Sequence, residues 1–299
     1  MRARGRDRGA RGGGVAAYGG RVYVSTGYGA MIALDANSGD EVWRADAEAP
    51  FQSAPTVAGG RVFAITNDNE LVVYDAGSGE LAWNYQAIAE PARILSAPSV
   101  AVDGDTVVAP FASGEVVALL AANGRRLWVD SLSRTGRITS LSAINDIAGR
   151  PVIDSGVAYA VSHSGVLAAI DLRTGQRVWA RAFASTQTPW VAGDVLYVVS
   201  TDGELTAFDR ATGGAYWVSQ LRRYRNEDDR NGRVSWTGPV MIGGRLVLAN
   251  SLGEVVAVSP ENGEVVARDD VGNPVFIPPI VANGLVYVVT DEAQLVALR

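Results

Sequence analysis

The chain has 299 residues, 47% of them apolar, with no Cys, one His and a formal net charge of −6. That composition can bury a large core, and the missing thiols exclude disulfides, thiolate catalysis and Cys-ligated zinc on this sequence. Lys is absent, so Arg carries all positive charge, and the acidic balance argues against a nucleic-acid partner, which would need a basic face.

Arg2, Arg4, Arg6, Arg8 and Arg11 crowd the first eleven residues beside Asp7. The stretch lacks the apolar run of a secretory signal and any strand pattern, so residues 1–14 are expected to form a disordered Arg/Gly tail. No run of 18 apolar residues exists anywhere, and no membrane-spanning helix is expected.

From there one unit recurs: an apolar strand, a Gly-Gly or Asp-Gly pair, a second strand, a third ending in Asp, Ser/Thr-Gly, and Trp four residues later. It runs from Gly19 to Trp43 and again from Gly59 to Trp83, then in copies ending at Trp128, Trp179 and Trp217. The sixth copy places Ala267 at the Trp position, and the seventh reaches only Arg299, before its Gly-to-Trp segment. Trp residues roughly 40 to 50 residues apart, with four short strands between them, predict a β-propeller of four-stranded antiparallel blades. The expected organisation is a single propeller domain over 15–299, with seven repeats visible.

The parts of the unit have structural explanations. Gly pairs before the second strand supply positive φ for tight hairpins. Asp35, Asp75, Asp171 and Asp209 can accept backbone N–H bonds at the corner into the outermost strand. Trp43, Trp83, Trp128, Trp179 and Trp217 are large enough to fill the wedge between splayed blades, so they are assigned to blade docking. Evenly repeated carboxylates would lie far apart around a ring, which argues against a metal site.

Two inserts interrupt the repeat, 134–150 and Leu221 to Ser235. The second is so charged that an exposed loop is expected, and propeller inserts often carry binding. Trp190 and Trp236 stand outside the repeat position, just before innermost strands, where each is either packing or a recognition surface. His163 sits in the hairpin Ser162-His163-Ser164-Gly165 and reads as a turn residue. No nucleophile elbow, zinc-binding His-Glu-x-x-His or phosphate loop occurs. The adjacent pairs Asp228-Asp229 and Asp269-Asp270 read as solvated loop charges. No catalytic, cofactor or metal residues are assigned.

The repeat Ala-x-Asp-x-x-Thr-Gly-x-x-x-Trp resembles the tryptophan-docking repeat of the pyrroloquinoline-quinone (PQQ) enzymes and their non-enzymatic relatives. The stretches RILSAPSVAVDG (93–104), SLSAIND (140–146) and GLVYVVTDEAQLVALR (284–299) make the chain similar to the BamB family of outer-membrane assembly lipoproteins. That resemblance implies an eight-bladed ring, a secretory signal, a lipidated Cys and one blade ahead of the first repeat seen here. It therefore implies a truncated or mis-started product, with localisation at the periplasmic face of the outer membrane.

The resemblance further implies a scaffold that docks on the periplasmic POTRA domains of BamA, joins other assembly-machinery subunits and assists nascent outer-membrane proteins. On its motifs the contact maps to Arg93, Ile94, Leu141, Asn145 and Asp146. Ala143 and Asn145 replace the family's acidic positions, leaving Asp146 as the nearest carboxylate. Two other readings stay open: a PQQ-dependent dehydrogenase, disfavoured by chain length and the lack of Cys, and a generic peptide-binding propeller using an open strand edge.

Overall fold

A computed structural model describes residues 13–88, 98–133 and 146–299. All regular structure in them is β, and every strand pairing is antiparallel between neighbours in sequence. The chain divides into two compact units, Met1–Ile153 and Asp154–Arg299.

The first unit carries three four-stranded sheets, each laid down in chain order. Sheet one is Gly13–Tyr18, Arg21–Thr26, Ala30–Asp35 and Glu41–Asp46. Its first strand begins inside the stretch expected to be a tail: Gly13 pairs with Thr26 and Gly14 with Ser25. Glycine suits both places, since a Cβ on Gly13 would fall 2.3 Å from the Ser25 carbonyl oxygen and one on Gly14 would fall 2.6 Å from the Ala54 Cβ. Sheet two is Thr56–Ala58, Arg61–Ile65, Glu70–Asp75 and Leu81–Gln86, and sheet three runs from Ala101–Asp103 to Arg126–Ser131.

The second unit holds three more four-stranded sheets, starting at Val152–Asp154, Trp190–Ala192 and Trp236–Ile242. The seventh repeat gives a three-stranded sheet of Ile280–Ala282, Leu285–Val289 and Leu295–Leu298. One element was not foreseen. The charged insert is an ordered two-stranded hairpin, Tyr224–Asn226 with Asn231–Arg233. The ends of the insert anchor it: Leu221 and Val234 are buried in one apolar cluster with Trp236 and Leu246.

Burial explains the strand pattern. The second and third strands of most sheets are buried on both faces, as in Arg61–Ile65 and Glu70–Asp75, so they read as continuous apolar runs rather than alternating ones. Outermost strands alternate, with every second side chain in solvent.

Each outermost strand also contains a bulge just before its Trp position. Ala33 pairs with Trp43 but Leu34 pairs with Glu41, leaving Val42 as the extra residue. The same slip leaves out Leu127, Val178, Tyr216 and Val266, and these bulged residues are exposed. A bulge adds local twist and re-aims the next side chain, which here is the docking Trp.

That Trp locks onto the following sheet. In the first unit the Trp43 indole N–H donates to Ala76 O at 3.1 Å and that of Trp83 to Ala121 O at 2.9 Å. In the second, Trp179 donates to Arg210 O at 2.9 Å and Trp217 to Pro260 O at 3.0 Å. Each acceptor is the residue after a third strand or in the turn that follows it. The rings rest on the glycine of that turn: a Cβ on Gly79, Gly124, Gly213 or Gly263 would lie 2.5 to 2.7 Å from the docked indole. A tyrosine on the second strand joins the lock where it is present. Tyr23, Tyr159 and Tyr197 donate their hydroxyls to the same carbonyls as Trp43, Trp179 and Trp217, with ring centroids 5.9 to 6.2 Å from those indoles.

Candidate functional site

Of the residues expected at a partner contact, Arg93, Ile94, Leu141 and Asn145 lie outside the described residues. Asp146 is described and is only 1% exposed. Its segment is entering the core, since Ile147 and Ala148 beside it are buried as well. Asp146 takes part in interactions within the chain.

The corner aspartates are engaged locally. Asp35 Oδ1 accepts the backbone N–H groups of Asn37 and Ser38 at 2.9 Å, and Asp75 does the same for Gly77 and Ser78. Asp171 and Asp209 accept both the N–H and the hydroxyl of the Thr three residues on. Donors aimed at a carboxylate favour its ionised form, and all four are held below the usual aspartate range. Asp209 drops furthest, to about 2, with the Tyr216 hydroxyl at 2.6 Å as the leading cause, followed by Thr212. Among the described residues no three His, Asp or Glu side chains converge closely enough to hold a metal ion.

The two tryptophans outside the repeat position differ from each other. Trp236 is 5% exposed and its indole N–H donates to Arg222 O at 2.8 Å; it is packing that fixes the base of the inserted hairpin. Trp190 is half-buried, pairs with Tyr197 and packs against two apolar clusters of the second unit. His163 lies in the turn between two strands, with a buried Nδ1 that has no hydrogen-bond partner among the described residues.

Where the sixth repeat has Ala267 in place of Trp, a cavity of about 300 Å³ opens, lined mainly by apolar residues such as Val247, Val255, Ala267 and Val286, with Arg245, Asp269 and Arg299 also in its wall. Sequence reading marked the substitution but not the void. It also missed the role of the Ser/Thr-Gly glycine as the platform for the preceding sheet's Trp. A signal was present, since the glycine stands at the same distance before every Trp position.

Four-stranded antiparallel sheets in tandem, with Trp43, Trp83, Trp179 and Trp217 each clasping the following sheet at a glycine turn, define a β-propeller of the tryptophan-docking class. The chain matches the family described as outer membrane protein assembly factor BamB over residues 3–219 and 220–299, and it belongs to that family. It is 32% identical to outer membrane protein assembly factor BamB of Salmonella typhimurium across 96% of this chain and 71% of that protein. The crystal structure of BamB from Moraxella catarrhalis superposes with a TM-score of 0.85 at 25% identity, covering 96% of this chain and 83% of that one. A europium-containing methanol dehydrogenase gives a TM-score of 0.69 over 95% of this chain and 77% of its own, but at 13% identity that likeness concerns the fold alone.

Proposed function

We propose that this protein acts in outer-membrane protein assembly as a non-enzymatic scaffold at the periplasmic face of the outer membrane. In this reading it docks on the POTRA domains of BamA, sits among the other subunits of the assembly machinery and assists nascent outer-membrane proteins. The observation that carries the reading is a family match that runs through both inserts and nearly the whole chain. The carboxylates the structure describes support it too, because the most strongly perturbed of them, Asp209, is occupied in a corner turn rather than poised in a cleft.

The proposed contact uses Arg93 and Ile94 from one segment and Leu141, Asn145 and Asp146 from another. An arginine fork fixes orientation through paired hydrogen bonds to a carboxylate, and apolar neighbours supply buried area beside it. The test is binding of the folded chain to a purified BamA POTRA array. Wild type is expected to bind, and Arg93→Glu to bind at least about tenfold more weakly, a loss of roughly 1.4 kcal/mol. A well-folded wild type that does not bind overturns the docking assignment. PQQ with calcium is expected to leave the melting temperature unchanged; a rise would favour the dehydrogenase reading, because a ligand that binds the folded state stabilises it.

A further inference from the structure

The inserted hairpin is a built surface. Arg222 braces it three ways: Nε donates to Tyr224 O at 3.0 Å, one terminal nitrogen to Arg225 O at 2.7 Å, and the other to Glu254 at 2.9 Å. The Glu227 carboxylate accepts the backbone N–H groups of Arg223 and Tyr224, and Asn226 caps the turn through Asp228 N, Asp229 N and the Asp229 carboxylate. Arg223 and Arg233 both pair with Asp202. A surface held rigid in this way loses little entropy when it binds.

Beside the hairpin lies an open cleft of about 330 Å³ whose lining contains no carboxylate. Arg225 and Arg233 border it, with Asn231 on the hairpin and Ser251 and Leu252 from the neighbouring turn. Gly232 keeps it open, since a Cβ there would fall 3.1 Å from the Arg225 Cβ. The Arg225 guanidinium is exposed and makes no hydrogen bond or ion pair among the described residues, and the same holds for the Asn231 carboxamide. An overall acidic chain thus presents an unspent guanidinium, a second one partly spent, and a free amide, all around one apolar side chain.

We propose that this cleft is a docking site for an acidic peptide segment of a partner protein, on an element separate from the 93–94 and 141–145 segments. Arg225 and Arg233 would grip a side-chain carboxylate, for which the planar guanidinium fork is shaped. The Asn231 amide, both donor and acceptor, matches a peptide backbone, and Leu252 gives the chain an apolar rest. A lone phosphate or lipid headgroup would use the charges and the amide N–H, but not the amide oxygen together with the leucine.

The probe is a fluorescein-labelled hexaglutamate peptide titrated into the full chain at low salt and followed by anisotropy. Saturable binding that weakens as salt rises is expected. Arg225→Ala should weaken it by about tenfold, the scale of one charge-assisted contact. Arg230→Ala removes the same charge from the turn, outside the cleft lining, and should change binding less than about twofold. Circular dichroism on each variant checks that the fold is kept. Equal losses in the two variants would reduce the effect to general charge attraction and overturn the site. No binding by wild type would overturn it as well. So would phosphatidylglycerol vesicles that bind more tightly than the peptide and depend equally on Arg225, which would assign the cleft to a membrane surface.

Discussion

The Trp179 indole occupies the space that a side chain at Gly213 would need: an ideal Cβ there falls 2.6 Å from the ring. Gly213 has φ +70°, so the turn requires a glycine for its backbone and the ring requires one for its bulk. One residue thus satisfies a local and a long-range demand, which is why the repeat keeps Gly and Trp together.

Gly213→Ala is therefore expected to destabilise by roughly 2–5 kcal/mol, combining left-handed backbone strain with overpacking. Gly193 has φ +57° but open space around it, so Gly193→Ala should cost only about 1–2 kcal/mol. Urea unfolding of the two variants measures the difference. Equal costs would mean that the indole yields freely.

Trp179→Ala empties the same joint from the other side and is expected to cost about 3–5 kcal/mol. Trp179→Phe keeps much of the apolar ring but loses the N–H bond to Arg210 O. That carbonyl still accepts from the Tyr159 hydroxyl at 3.4 Å, so the cost should be nearer 1 kcal/mol. Thermal or chemical denaturation ranks the pair.

Acid should expose the Asp209 turn. An aspartate whose folded pKa is lowered from about 3.9 contributes stability that is fully present above the unfolded value and is lost as pH falls through the folded one. Here that window runs down to about 2, set first by the Tyr216 hydroxyl. Tyr216→Phe removes the leading cause, so the stability gap between wild type and variant should be plain at pH 6 and narrow by pH 2. Urea midpoints at the two pH values test this. An unchanged gap would show that the phenol acts by packing instead.

The cavity beside Ala267 offers a gain. Ala267 pairs with Ala257 in the register that Trp217 keeps with Ala207, so Ala267→Trp should aim an indole across the opening. Covering the apolar part of a cavity of about 300 Å³ is expected to add about 1 kcal/mol and raise the melting temperature by a few degrees. Differential scanning calorimetry reads it directly. A lower melting temperature would mean that the ring cannot be seated.

Much of this protein was legible in its residues. Repeated Gly pairs, corner aspartates and evenly spaced Trp identify the sheets, because hairpin turns and strand corners are local problems with few residue solutions. Sequence also located both inserts and the odd sixth repeat at Ala267. It could not show that Trp179 needs Gly213, since that pairing joins residues of two different sheets. Nor could it show that the run from Leu221 to Ser235 is an ordered hairpin, because there the folding information lies in Arg222 reaching Glu254 and in Trp236 reaching back to Arg222. Asp146 makes the same point: the resemblance mapped it to a partner contact, and only packing decides that it is 1% exposed. Local backbone chemistry is written along the chain, whereas burial and charge pairing depend on which distant residues arrive beside each other.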